Sequence, residues 1–126
     1  MLNRTGIKKE TAGAPVQILF NVQNQMSVSV QVAKVAGVVE NGKTIVKAGT
    51  PLTGDLTARG TAFTAAGESN ATGVLLHDVD VTDGAANGSL LIWGFVNLNR
   101  LDSGTQAKVT SGVKTALKGS IWFLKD

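Results

Sequence analysis

The chain has 126 residues, a net charge of +3 and no cysteine. This length fits one domain and is too short for two, and the absence of cysteine excludes disulfides and cysteine-ligated metal sites. Tyrosine is absent and His77 is the single histidine, so few groups are available for acid–base chemistry near neutral pH, and we expect no enzyme and no cofactor.

The first 15 residues combine charges and turn formers with no hydrophobic repeat. The apolar stretch at residues 16–22 is either an edge strand or part of an extended arm that needs a partner to bury Ile18 and Phe20. Ordering such a segment costs about 1–2 kcal/mol per residue. We therefore predict an arm over residues 1–22 and one folded domain over residues 23–126. The arm residues expected to bind a partner are Arg4, Lys8, Lys9, Val16, Ile18 and Phe20.

The next segments have the patterns of short strands. Residues 28–32 alternate apolar and polar side chains, which predicts a half-buried strand, and residues 35–39 continue the apolar run. Asn41-Gly42 predicts a two-residue hairpin turn leading into a strand at residues 44–46. Residues 53–70 are rich in Thr, Ala and Gly and predict a loop with one short strand near residues 61–63.

The second half contains the most apolar segments. Residues 71–76 predict a buried strand, and residues 89–97 predict the central strand of a sheet. Helical spacing with a capping Thr or Ser predicts one short helix near residues 110–118, ending at Gly119, before a last strand at residues 121–124.

The alternation at residues 77–81 predicts that Asp78 and Asp80 share one face, with His77 and two valines on the other. The segment superficially resembles a calcium loop, but the glycine falls one place late and the twelfth position is Ser89 instead of Glu. No metal is therefore expected, and the two carboxylates indicate a solvated face or a subunit contact. Alternation predicts that Trp93 and Phe95 share one face of their strand. Core packing is the default interpretation of both Trp93 and Trp122, and an interface role for one of them is the alternative.

Three stretches together resemble a known family. They are residues 46–52 (Val-Lys-Ala-Gly-Thr-Pro-Leu), 71–80 (Ala-Thr-Gly-Val-Leu-Leu-His-Asp-Val-Asp) and 90–97 (Leu-Leu-Ile-Trp-Gly-Phe-Val-Asn). Over residues 38–105 the chain resembles the head decoration proteins of tailed phages and the capsid-binding N-terminal domain of phage head fibre proteins. The resemblance implies structural roles for Gly49, Thr50, Pro51, Leu52, Gly73, Val74, Leu75 and Leu76.

The fold expected is mainly β: a small β-barrel or β-clip-like domain of short strands with one short C-terminal helix and an N-terminal arm. The resemblance implies a trimer that binds the major capsid protein on the outer surface of a mature head, with Asp78, Asp80 and Trp93 as possible subunit contacts. The chain lacks a signal-peptide pattern and any apolar run of about 18–20 residues, so we expect synthesis in a bacterial cytoplasm and no membrane partner.

Two alternatives remain open. One is another virion adaptor or a fibre-anchoring protein. The other is a small hydrolase or carbohydrate-binding β domain, for which Trp93, Trp122 and the Asp78/Asp80 pair are the candidates. Nucleic-acid binding is not expected, because the six aromatic residues are mostly not interleaved with basic runs.

Overall fold

The computed structural model describes residues 17–19, 23, 25–67 and 70–125, and these are mainly β. The strands are β1 (Met26–Val32), β2 (Val38–Glu40), β3 (Lys43–Val46), β4 (Pro51–Thr53), β5 (Thr64–Ala65), β6 (Gly73–Leu75), β7 (Val79–Asp80), β8 (Ala86–Asn97) and β9 (Ile121–Leu124). The α-helices are α1 (Ser103–Gln106) and α2 (Ser111–Ala116), and single 3-10 turns lie at Lys34–Ala36 and Leu98–Arg100.

The strands form two sheets. The larger has the order β1-β8-β6-β4-β5, with β9 pairing in parallel to the second half of β8. The smaller has the order β2-β3-β7 and is antiparallel. Strand β8 is the longest at 12 residues and contacts β1, β6 and β9, as expected for the predicted central strand.

The sheets do not close into a barrel, so that part of the predicted fold is wrong. The two ends of the larger sheet approach each other at a single bridge between Val32 and Phe63. Strand β5, which follows Phe63, has only two residues and pairs with β4. It is therefore too short to form the ladder with β1 that closure requires.

Two hydrophobic clusters make up the core, and β8 contributes to both. The first, which we call the α2 cluster, includes Val96 of β8 and Val113 of α2. The second, which we call the Phe63 cluster, includes Leu90 of β8 and the fully buried Phe63. Because one strand supplies both clusters, the two halves of the core are tied together through its backbone.

Local signals in the sequence predicted several elements correctly. Asn41 and Gly42 have φ values of 52° and 78°, as a type I′ hairpin turn requires. Thr110 caps α2 by accepting a hydrogen bond from the Val113 N–H at 3.3 Å. The structure has two short α-helices where one was predicted, because the four residues of α1 are too few to show a helical period.

Ile18 and Leu19 belong to the folded domain and not to an arm. They are 1% and 3% exposed within the α2 cluster. Leu19 bridges Val96, and the backbone N–H of Asn97 donates to the Ile18 carbonyl at 2.8 Å. The prediction that Ile18 needs a partner for burial is therefore wrong, since the end of β8 supplies both the hydrogen bond and the apolar contact. The other predicted arm residues, Arg4, Lys8, Lys9, Val16 and Phe20, lie outside the described residues.

Candidate protein-interaction surfaces

Three aromatic side chains form a cluster on the surface of the larger sheet. Trp93 and Phe95 are two residues apart on β8, so they point to the same side, and the parallel register places Phe95 beside Trp122 of β9. The Phe95 and Trp122 rings stack with centroids 5.1 Å apart. Trp93 meets them edge-on at 6.1 and 6.3 Å. These spacings are those of attractive aromatic pairs, so the three rings pack against one another on the sheet.

The cluster is exposed and extends to neighbouring apolar side chains. Trp93 is 41% exposed and Trp122 40%. Met26 pairs with Trp93 across β1 and β8, Leu124 lies two residues after Trp122, and both are also exposed. We call these five residues the aromatic face. The default interpretation of both tryptophans as core residues is wrong, and the surface they form is of the kind that binds other proteins.

Lysines border one side of the aromatic face. A shallow cleft between α2 and β9 is lined by Lys114, Lys118, Gly119, Ile121, Trp122 and Phe123. No carboxylate is among these lining residues, and within the described parts of the chain neither lysine has an ion-pair partner. The cleft therefore combines an indole ring with two free ammonium groups, which favours a partner that is both apolar and acidic.

A second exposed apolar surface lies on the smaller sheet. Val35, Val38 and Val39 are 82%, 43% and 75% exposed. Val38 and Val39 are consecutive in β2, so their side chains point to opposite sides of the strand. Their joint exposure means that the β2–β3 hairpin projects from the body of the domain. We call this surface, from Val35 to the turn at Asn41-Gly42, the valine hairpin. The sequence did not predict this exposed surface, because the apolar run at residues 35–39 is typical of a buried strand.

The two predicted interface carboxylates lie in β7 and directly before it, and β3 separates β7 from β2. Asp80 pairs with Ile45 in the ladder between β7 and β3. Its carboxylate accepts hydrogen bonds from the backbone N–H and the hydroxyl of Thr82, at 2.9 and 2.6 Å. The hydroxyl bond, followed by the backbone bond, lowers the pKa of Asp80. Asp78 accepts from the Ala48 N–H at 2.7 Å. Both carboxylates thus organise turns while remaining exposed.

The predicted alternation around these residues is correct with one exception. Val79 and Val81 are buried, and Asp78 and Asp80 are exposed. His77 was predicted on the buried side but is exposed, because the strand begins only at Val79. The subunit contact proposed for the two carboxylates and Trp93 stays a prediction.

The residues singled out by the family resemblance lie together inside the larger sheet. Pro51 pairs with Val74, and Leu52 pairs with Gly73. The Thr50 side chain is fully buried, and its hydroxyl donates to the Lys47 carbonyl at 2.7 Å. Gly49, Leu75 and Leu76 are also buried. Burial of the whole set is what a structural role requires.

An ion pair joins Glu40 of the valine hairpin to Lys47, which directly follows β3. The Lys47 ammonium donates to both carboxylate oxygens of Glu40, at 3.0 and 3.1 Å. This hydrogen bond raises the pKa of Lys47, against a smaller lowering by burial. The Arg100 guanidinium donates to the Gln17 carbonyl at 3.1 Å and so fixes the first described segment of the chain.

The chemistry available to these surfaces is that of apolar and charged contact. Within the described residues, no three His, Asp or Glu side chains are grouped to hold a metal ion. The helices of that part of the chain include none that is long and apolar enough to cross a membrane. A search of protein-family models finds no match for this chain, and a search of curated proteins finds none either.

Proposed function

We propose that the protein is a structural, non-enzymatic component of a phage virion. It binds the major capsid protein on the outer surface of the head, associates with further copies of itself, and decorates or stabilises the mature capsid. The observation that supports protein binding is the exposed aromatic face, formed by side chains of the paired strands β8 and β9 and by Met26 of β1. The resemblance over residues 38–105 supports the choice of a capsid, and with it a β-clip-like fold and a trimer.

The ring geometry favours a protein partner over a sugar or a nucleotide. Sugars and bases stack on a free aromatic plane. Here Phe95 and Trp122 stack on each other, and Trp93 stands at 85° to Trp122. The result is an uneven apolar surface bordered by Met26 and Leu124. An uneven apolar surface of this kind can interdigitate with the side chains of a partner protein.

The aromatic face is large enough to contribute strongly to binding. A tryptophan buries up to about 250 Å², so the exposed two-fifths of Trp93 and of Trp122 amount to about 100 Å² each. At about 25 cal/mol per Å², covering each indole contributes about 2.5 kcal/mol. That value is typical of an interface hot spot.

The proposal is tested by rebinding to phage heads from which the protein has been removed. Purified full-length chain is mixed with these heads, which are then pelleted, quantified and imaged. The wild type should rebind. Trp93→Ser/Trp122→Ser should bind at least about 100-fold more weakly, because covering each indole contributes about 2.5 kcal/mol to binding. The matched control is Leu56→Ser, because Leu56 is 39% exposed but lies on the loop between β4 and β5.

Circular dichroism confirms that each variant is folded. A wild type that fails to bind heads, or a double variant that binds as well as the control, contradicts the proposal. Binding of both wild type and control to a glycan array, lost in the double variant, would instead support the carbohydrate-binding alternative.

A further inference from the structure

Strand β1 lies at the end of the larger sheet, and its outer edge is covered over only part of its length. The Gln31 N–H donates to the Arg59 carbonyl at 3.2 Å, and the Gln31 carbonyl accepts from the Phe63 N–H at 2.7 Å. The peptide groups of a strand alternate between its two sides, so those of Ser29 and Ser27 point to the same outer side as those of Gln31. The covering segment does not extend as far as these two serines in the ladder.

The neighbouring strand β8 shows the same alternation. Ser89 is opposite Ser29 in the ladder between β1 and β8, and its carbonyl accepts from the Leu76 N–H at 2.9 Å, on the side away from β1. Ser29 therefore exchanges no backbone hydrogen bond with β8. Within the described parts of the chain, the N–H and carbonyl of Ser27 and the N–H of Ser29 have no hydrogen-bond partner. We call residues 27–29 the free edge.

The sequence of the free edge does not protect it from pairing with another strand. Edge strands are commonly blocked by lysine, by proline or by a covering loop, whereas residues 27–29 are Ser-Val-Ser. Their register with β8 is regular and shifts only between Met26 and Ser27. Val28 packs against the Phe63 cluster but is only partly buried. An added strand would pair with the three open backbone groups and cover the rest of Val28.

Arg59 lies at one end of the free edge, where its guanidinium donates to the Ser29 carbonyl at 3.2 Å. The cleft around it is lined by uncharged residues: Ser29, Val30, Gln31, Gly60 and Asn87. Among the residues that the structure describes, Arg59 has no ion-pair partner. A guanidinium has five N–H donors, so others remain for a carboxylate, which it binds with two parallel hydrogen bonds. The free edge is therefore suited to an extended segment that carries an acidic side chain.

We propose that the partner that covers the aromatic face also adds an extended segment to the free edge, and that a carboxylate of this segment binds Arg59. Met26 belongs to the aromatic face and directly precedes Ser27, so the two surfaces are continuous. The inference rests on the proposed function for the identity of the partner. It adds backbone pairing, which supplies affinity for any extended segment, and an arginine, which selects one with an acidic side chain.

Rebinding to stripped heads tests this contact, with circular dichroism as the check on folding. Ser27→Pro removes an outward N–H that β8 does not use, and edge strands tolerate such a proline. Arg59→Glu reverses the charge beside the edge. Each variant should bind heads about tenfold or more weakly than the wild type. The controls are Ser27→Thr, which keeps the N–H, and Lys43→Glu, which makes the same charge change at the start of β3; both should bind like the wild type.

A peptide titration followed by NMR tests the free edge without heads. The probe is a short blocked peptide of alternating Val and Thr with one Glu, and its control carries Lys in place of Glu. The amide signals of Ser27 and Ser29 should shift with the Glu peptide and shift less with the Lys peptide. A Glu peptide that leaves both amides unchanged overturns the inference.

The two assays separate this inference from the proposed function. Heads that bind Ser27→Pro and Arg59→Glu as tightly as the wild type overturn the inference and leave the proposed function standing. Heads that reject the wild type contradict the proposed function, while the amide shifts would still support the free edge as a strand-binding site. Self-association of the wild type that Ser27→Pro abolishes, measured by sedimentation velocity, would assign the free edge to a second copy and overturn the inference.

Discussion

Gly73 of β6 lies so close to β8 that alanine has no room there. A Cβ on Gly73 would be 2.5 Å from the Leu91 carbonyl oxygen and 2.8 Å from Leu90 Cγ. The carbonyl belongs to the central strand and cannot move without disturbing the ladder between β6 and β8. Overpacking a core lowers the free energy of unfolding by about 1–3 kcal/mol. Because the neighbour of Gly73 is backbone, we expect Gly73→Ala to lie near the upper value, about 3 kcal/mol. At ~4 °C per kcal/mol, this corresponds to a decrease of about 12 °C in Tm.

Urea unfolding followed by tryptophan fluorescence measures this loss, since Trp93 and Trp122 report on the same sheet. Gly60→Ala is the control, because no heavy atom lies within 4 Å of a Cβ there and its φ is not in the left-handed region. We expect Gly60→Ala to be neutral or to stabilise by up to about 1 kcal/mol through the unfolded chain. A Gly73→Ala protein within about 0.5 kcal/mol of wild type would refute the close packing of β6 on β8.

Four further predictions concern the N-terminal region, the acidic turn and metals. Ile18→Ala should lower the free energy of unfolding by about 3 kcal/mol in the same urea assay, because Ile18 is 1% exposed; an effect below about 1 kcal/mol contradicts its place in the core. Deleting residues 1–14 should leave the melting temperature nearly unchanged and weaken head binding at least tenfold, about 1.4 kcal/mol; unchanged binding or loss of folding contradicts the arm. Thr82→Val should raise the pKa of Asp80 towards its ordinary value in an NMR titration, since the hydroxyl bond is lost. In the wild type, the lowered pKa of Asp80 stabilises the fold at pH values above the pKa that this carboxyl has in the unfolded chain. This stabilisation is lost as the pH falls through the pKa of Asp80 in the folded protein. Thr82→Val should therefore lose less stability than the wild type on acidification. EDTA should not change the melting temperature, and a drop of several degrees would require a metal site near Asp78 and Asp80.

Elements with strong local signals could be predicted from the sequence. The hairpin at Asn41-Gly42 follows from two residues that tolerate positive φ. The α2 helix follows from the Thr110 cap and a short apolar period. Strand β8 follows from the apolar run at residues 90–96, which is typical of a central strand. In each case the information lies within a few adjacent residues.

Features that depend on distant partners could not be predicted. The placement of Ile18 depends on a hydrogen bond to its carbonyl from the backbone N–H of Asn97, 79 positions later in the chain. Barrel closure depends on whether β5 is long enough to pair with β1, and its two residues show no pattern of their own. Exposure of the valine hairpin depends on what covers β2, which no property of residues 35–39 specifies.

The aromatic face shows why apolar density alone does not decide burial. Leu90 and Leu91 are adjacent in β8 and both fully buried, so this part of the strand is covered on both sides. Only two residues later Trp93 is 41% exposed, while Val96 on the same strand is again fully buried. Alternation correctly placed Trp93 and Phe95 on one side, but it could not show that the chain leaves that side uncovered. An apolar strand side that a domain does not cover itself is the surface that association with another protein would bury.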